Sequence, residues 1–258
     1  MRIRSSHFVA GVSVMIAMWA FAAPAAAQNV LLMMEDIAAA DQQTYRDAIT
    51  AASVAWTEWD LDTLAFPTAG ELSPYTVLIW ADESTLSPDD ADCQVVADWL
   101  VLGGKRLFAT SVDFLWDLEN GSVGAGENNL YLLFETTFQG DYAGTGIASL
   151  NGIATDPIGD PWSATPLTIA GTTDSNGDYA DSSTSIAVEG LVYGAGGTGS
   201  TFAALTHHDD VGQDYRTVWL GINFHNGISN QADRDLLMTN IMSFFQPIPV
   251  ELMSLSVE

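Results

Sequence analysis

The sequence predicts an α/β domain built on a mainly parallel sheet with helices on both sides and a β-rich C-terminal half. Three observations carry this. Apolar runs that read as strands recur at Asn29–Met34, Val54–Asp60, Thr76–Ala81 and Arg106–Thr110. Runs apolar at nearly every position, such as Asn29-Val-Leu-Leu-Met-Met34, mark strands covered on both faces. Between them lie segments with helical periodicity, so strand and helix alternate through residue 110, the pattern of parallel crossovers.

Each element has a local reason. Tyr45, Ile49 and Ala52 fall at i, i+4 and i+7, the stripe of an amphipathic helix. Ser87-Pro88-Asp89-Asp90 reads as a helix start, with Ser as N-cap, Pro at the first helical position and acids in the first turn. Cys93, Val96, Ala97 and Leu100 form the apolar face of that helix, and Gly103-Gly104 ends it. Gly121–Gly126 reads as a loop and Asn128–Phe138 as a helix. Residues 140–185 are rich in Gly, Asp, Thr and Pro, with short apolar patches only. Strands are expected at Ile186–Tyr193, Phe202–Thr206 and Thr217–Phe224. The polar stretch His207–Asp214 forms the hairpin loop between the last two. A final helix runs from Ala232 to Phe245, with Leu237, Ile241, Phe244 and Phe245 on one face, and Pro247 and Pro249 stop it.

Charge narrows the function. The 258 residues include 33 Asp and Glu against 7 Lys and Arg, a formal charge of −26. Backbone binding to nucleic acid requires clustered cations that displace counterions, so it is excluded as a main activity. Docking on anionic lipid fails for the same reason. With 48% hydrophobic residues the chain still has enough apolar material for a core. Cys93 is the only cysteine, which excludes an internal disulfide and any cysteine-cluster metal site.

Residues 1–27 read as a secretory signal peptide. Arg2 and Arg4 form a basic start, Phe8–Ala23 an apolar run broken by Pro24, and Ala25-Ala-Ala27 a small-residue cleavage pattern. The mature protein is expected to be periplasmic or extracellular, with no membrane span after removal of the signal.

Several stretches together resemble a known family. Val30-Leu-Leu-Met-Met-Glu-Asp36, Trp59-Asp-Leu-Asp62 and Leu72-Ser-Pro-Tyr-Thr-Val-Leu-Ile-Trp80 resemble the opening of class I glutamine amidotransferase-like domains of secreted bacterial proteins. Gly103–Asp113 fits that family's strand and turn after the third crossover. Tyr215–Phe224 followed by Arg234-Asp-Leu-Leu-Met238 fits its last strand and closing helix. The resemblance covers roughly residues 29–246 and implies a flavodoxin-like three-layer α/β/α sandwich. The domain is thus placed at 28–247. The tail 248–258 resembles the start of a following module.

Active members of that family place a cysteine at a strained turn after a strand, with a histidine and a glutamate after the last strand. Here Cys93 lies within a helix and is expected to face the core, so the thiol chemistry does not carry over. Ser111 lies close to that turn and His225 follows the last strand, which makes them candidates for a serine-type hydrolase acting on an ester, amide or glycan. Against this, Asp113 stands where a nucleophile elbow wants a small residue, and no acid follows His225 at two residues. The alternative is a polar turn and a surface histidine.

Acidic residues supply the remaining candidates. Glu35, Asp36, Asp82, Glu83 and Asp113 fall at the carboxyl ends of strands, where open α/β sheets bind ligands. Such a crevice favours a cation or an organic base. Asp174, Asn176, Asp178 and Asp181 have oxygens spaced like a calcium loop, although ordinary turn chemistry explains the same residues. Calcium is the one cofactor suggested. His207-His-Asp-Asp210 offers transition-metal ligands, but adjacent residues of an extended chain point opposite ways. The leading expectation is an exported, non-catalytic binding or structural module with a protein or glycan partner, within a cell-surface or secreted assembly. A serine hydrolase and a calcium-dependent adhesion module are the alternatives.

Overall fold

A computed structural model describes residues 28–82, 89–121, 124–140, 147–170, 179–180, 186–196 and 200–246. The first half runs β1 (Asn29–Glu35), α1 (Ala39–Ala51), β2 (Ala55–Asp60), α2 (Ala69–Leu72), β3 (Val77–Asp82), α3 (Asp90–Leu100), β4 (Lys105–Thr110), α4 (Phe114–Asn120) and α5 (Ala125–Phe134). Short strands follow: β5 (Phe138–Gly140), β6 (Ser149–Gly152), β7 (Leu167–Thr168) and β8 (Tyr179–Ala180), with a 3₁₀ turn at Asp160–Trp162. The chain closes with β9 (Val188–Tyr193), β10 (Ala203–Asp210), β11 (Tyr215–Leu220), α6 (Phe224–Gly227) and α7 (Gln231–Phe244).

The fold is α/β with a mixed sheet, ordered β2-β1-β3-β4-β11-β10-β9-β6-β7, and β8 pairs with both β10 and β5. Strands β2, β1, β3, β4 and β11 are parallel. From β11 onward the pairings are antiparallel, which corrects the expectation of a mainly parallel sheet. The reason is connectivity. β10 returns to β11 by a short turn, and only antiparallel neighbours accept so short a link.

The continuous apolar runs do what their composition requires. Val30, Leu32 and Met34 of β1, Val77 and Ile79 of β3 and Phe108 of β4 share one buried cluster with Tyr45 and Ile49 of α1 and Leu237, Met238 and Ile241 of α7. The alternate residues Leu31, Met33, Leu78, Trp80, Leu107 and Ala109 share the other with Cys93, Val96 and Trp99 of α3, Phe114 of α4 and Phe134 of α5. Burial of both faces explains why these strands lack polar alternation. β2 lies at the edge and is half exposed, and it does alternate.

Acids fix the starts of α3 and α5. Asp89 caps α3 by accepting the Ala91 amide at 2.9 Å; Ser87 and Pro88 lie outside the described residues. Asp90 reaches across to α5, accepting the amides of Gly126 at 2.7 Å and Glu127 at 3.2 Å. A Cβ on Gly126 would stand 2.0 Å from the Asp90 carbonyl, so this close approach of α5 to α3 requires glycine. Residues 125 and 126 are therefore helical rather than loop, and α5 stops at Phe134 because Glu135 turns left-handed (φ 51°). The α4 helix had no clear periodicity in seven residues.

The expected hairpin loop at His207–Asp214 is mostly strand. The ladder between β10 and β11 continues to Asp210↔Tyr215, leaving 211–214 as the turn. His207 is buried, and its Nε2 lies 2.6 Å from Asp156 Oδ2. Asp156 also accepts the amides of Ile158 at 2.9 Å and Gly159 at 2.7 Å. This pair fastens the loop after β6 to the sheet, and Phe244 of α7 covers the imidazole at 4.7 Å. Burial works to raise the Asp156 pKa. The hydrogen bond from His207 and the two amides outweigh it and bring the carboxyl below its ordinary 3.8.

Replacing Asp156 by Ala leaves an imidazole and two amides without their acceptor. Urea denaturation at pH 7 should show a loss of about 3–5 kcal/mol. Because the folded pKa is depressed, the contribution is present above the ordinary carboxylate value and is lost as pH falls through the folded one. The gap between the variant and the parent should therefore close in acid.

Candidate functional site

The carboxyl ends of β1, β3 and β4 form a mouth whose chemistry is acidic. The parallel register sets Glu35 opposite Asp82, and both continue the face that carries Met33 and Trp80 toward α3. Asp82 is buried and Glu35 half-buried. Asp36 turns left-handed (φ 52°) and gives its amide to Asp62 Oδ1 at 2.7 Å, which directs the chain out of the sheet. Asp113 precedes α4 and is buried. Glu35 and Asp82 are thus neighbours in the sheet, while Asp36 and Asp113 follow the carboxyl ends of β1 and β4. Glu83 lies outside the described residues, as do Asp174, Asn176, Asp178 and Asp181.

Two members of the mouth were not read from the sequence, Asp62 and Asp92. Asp92 stands in the first turn of α3 and acts electrostatically on Glu35. A helix that follows a parallel strand begins at that strand's carboxyl end, so first-turn acids of α3 could have been added to the crevice from topology alone. Burial, and then the Asp89 charge, push the Asp92 carboxyl up to about 6. Glu35 is raised by burial first and then by Asp36, Asp92 and Asp62. Among the described residues no three His, Cys, Asp or Glu side chains are grouped to hold one metal ion. The acids of the mouth range from buried (Asp82, Asp113) through half-buried (Glu35, Asp92) to exposed (Asp36).

Ser111 and His225 lie beyond the ends of neighbouring parallel strands, β4 and β11. Thr110 donates to the Ile222 carbonyl at 2.8 Å and ties the two turns together. Ser111 is only 1% exposed and His225 only 3%. The expected surface histidine is thus a buried one. It belongs to the short helix α6, its ring lies 6.0 Å from Tyr45 of α1, and its carbonyl accepts Arg234 Nη1 at 2.9 Å. Cys93 is fully buried in α3. Burial first, then Glu127, Asp92, Asp90 and Asp89, push its thiol far above the ordinary range, away from thiolate chemistry. His207 and His208 point to opposite faces of β10: the first meets Asp156, and the second lies 5.9 Å from Tyr215. They do not form a chelating pair.

All five cations after residue 27 are engaged inside the molecule. Arg46 grips Glu58 with two bonds of 2.7 Å. Lys105 Nζ donates to the carbonyls of Ser73 at 3.1 Å and Tyr75 at 2.6 Å. Arg106 binds the carbonyl and carboxylate of Asp214, and Arg216 binds Asp209 and the carbonyls of Phe244 and Gln246. Arg234 holds the carbonyls of His225 and Ile228.

No protein-family model matches the chain, and no curated protein matches its sequence. Solved structures do resemble it. A putative ThuA-like protein from Bacteroides uniformis aligns with a TM-score of 0.56 and 13% identity, over 86% of this chain and 93% of that one. A β-galactosidase from the Antarctic haloarchaeon Halorubrum lacusprofundi aligns with a TM-score of 0.54 and 11% identity over 83% of this chain. Agd3, a carbohydrate deacetylase, aligns at 0.53 and 12% over 84%. The chain spans 30% and 32% of the length of these last two. At such identities the likeness speaks for the fold alone, and it supports the class I glutamine amidotransferase-like fold that the sequence resembles. Among the described residues no helix is long and apolar enough to cross a membrane.

The raised Asp92 carboxyl has a signed consequence. Its stabilising contribution is present below the ordinary 3.8 and is lost as pH rises through about 6. Asp92→Asn should therefore raise the melting temperature at pH 7.5 by about 2–4 °C and leave it nearly unchanged at pH 4. Calorimetry at both pH values measures this.

Proposed function

We propose that the chain is an exported, non-catalytic binding or structural module on a class I glutamine amidotransferase-like scaffold, working within a cell-surface or secreted assembly. In this reading the scaffold is a flavodoxin-like α/β/α sandwich. Its two buried clusters, one toward α1 and α7 and the other toward α3, α4 and α5, support that layering. The basic and apolar start of the sequence supports export.

The observation that carries the non-catalytic reading is the burial of Ser111 after β4. Family enzymes place their nucleophile at the corresponding turn, and a nucleophile must meet its substrate. Here the one candidate hydroxyl is 1% exposed and leads into Val112 and Phe114, both buried. The sole thiol is locked in the core of α3. What the mouth retains is a set of acids, two of them with raised pKa values. These suit recognition of a ligand that brings hydrogen-bond donors or positive charge. The names of two structural neighbours, a β-galactosidase and a carbohydrate deacetylase, make a glycan the first partner class to test. A protein partner comes second.

The opposing reading, a serine hydrolase, draws on the adjacency of β4 and β11, which carry Ser111 and His225 to the same end of the sheet. One experiment separates the two. Purified protein is assayed against chromogenic esters, anilides and glycosides, beside Ser111→Ala and His225→Ala, while a glycan array is probed with the same protein. The module reading expects no turnover that depends on either side chain, and glycan binding that Ser111→Ala leaves intact. Turnover abolished by Ser111→Ala and by His225→Ala would overturn it.

A further inference from the structure

Glu135 stands where local physics disfavours it. It follows α5 in the left-handed region (φ 51°, ψ 27°), a place usually taken by glycine or asparagine. Its negative charge sits at the carboxyl end of the helix, where the backbone dipole favours a cation. The backbone there is nevertheless fixed, because the Glu135 carbonyl accepts the amides of Ile186 at 3.1 Å and Ala187 at 3.0 Å. A residue held against two local preferences points to a use for its side chain.

Glu135 lines a small open cavity of about 150 Å³, together with Tyr131, Leu132, Thr136, Thr137 and Ile186. α5 starts beside Asp90 and runs 10 residues away from it, so the cavity at its far end is separate from the mouth. The Tyr131 ring is anchored by its hydroxyl, which accepts the Phe138 amide at 2.9 Å. Leu132 and Ile186 are 57% and 71% exposed. No ion pair among the described residues includes Glu135, and Arg46, Lys105, Arg106, Arg216 and Arg234 are all held by other groups. A second copy of this chain would have to break its own fold to supply a cation. A carboxylate, an aromatic wall and two aliphatic side chains together match a guanidinium on an apolar stem. The volume is enough for one such side chain. A free small cation would leave Leu132 and Ile186 in water, whereas a protein surface would cover them. We propose that this cavity receives an arginine side chain of a different protein, paired with Glu135 and flanked by apolar residues that cover Leu132 and Ile186. The proposal is independent of what the mouth binds.

The probe is the peptide acetyl-Leu-Arg-Leu-amide, titrated into the purified protein at about 0.15 M salt, where diffuse attraction to the acidic surface is screened. Amide shifts are followed by NMR. The amides of Leu132, Thr137 and Ile186 should shift together and saturate. The same peptide with citrulline, the uncharged isostere of arginine, should bind at least about tenfold more weakly, as should n-butylguanidinium, which has no apolar flanks. Glu135→Gln should reduce the arginine peptide to the level of the citrulline one. Glu135→Gly relieves the left-handed backbone, so it should lose the binding while its melting temperature rises by about 2 °C. This second variant keeps the test open if Glu135→Gln fails to fold. Shifts spread over the acidic surface and unchanged by Glu135→Gln would overturn the proposal, as would equal binding of the citrulline peptide. Equally tight binding of n-butylguanidinium would assign the cavity to a free small cation and overturn the protein partner. A fall in melting temperature in Glu135→Gly would make Glu135 a structural residue, which also contradicts the proposal.

Discussion

The parallel pairing of β4 with β11, Lys105 through Thr110 against Tyr215 through Leu220, joins two half-sheets that differ in kind. On one side lie the parallel strands with their crossover helices; on the other lie the antiparallel strands that the second half of the chain adds. Without this pairing the sheet would be split in two, each half with an open edge, and only the packing of α7 on α1 would join the halves. Its ends are fixed by different means. At the mouth, Thr110 reaches the Ile222 carbonyl. At the opposite pole, Arg106 holds Asp214, and Arg216 holds both β10 and the end of α7.

Charge explains why so few contacts of this type occur and where they fall. A chain with 33 acids and 7 bases gains most from a cation where several carbonyls or carboxylates meet it at once. Lys105, Arg106, Arg216 and Arg234 all bind backbone carbonyls at strand starts or helix ends. Three of the four stand at the first two positions of β4 or β11. None of these four stands at the mouth, where Glu35, Asp36, Asp62, Asp82, Asp92 and Asp113 are placed. The same scarcity of positive charge that shapes the scaffold thus leaves the mouth acidic.

The parts of this architecture that sequence reasoning reached are those with local causes. β1 and β3 announce themselves as nearly unbroken apolar runs and β4 by its Leu107-Phe-Ala109 centre, because both faces are covered, and α1, α3 and α7 by their stripes. Glu35 and Asp82 could be placed at one crevice because strand ends converge in any parallel sheet. What escaped depends on distant partners. His207 looked like part of a loop because Asp156, which makes it a buried residue, lies 51 positions away. His225 looked exposed because nothing in its own neighbourhood predicts Tyr45 beside it. The strands β7 and β8 have two residues each, too few for any periodicity, and they exist because longer neighbours offer an edge. Asp92 carries no signal of its own in the sequence, because its effect is felt at Glu35 on another element.

The seam is open to direct measurement. In native-state hydrogen exchange, the β4 and β11 amides should be the slowest in the molecule. They should share one opening free energy with β1 and β3 on one side and with β10 on the other, as a single cooperative unit requires. If β9, β10 and β11 open together at a lower free energy while β1, β3 and β4 stay protected, the half-sheets are separate folding units, and the account given for this scaffold is wrong.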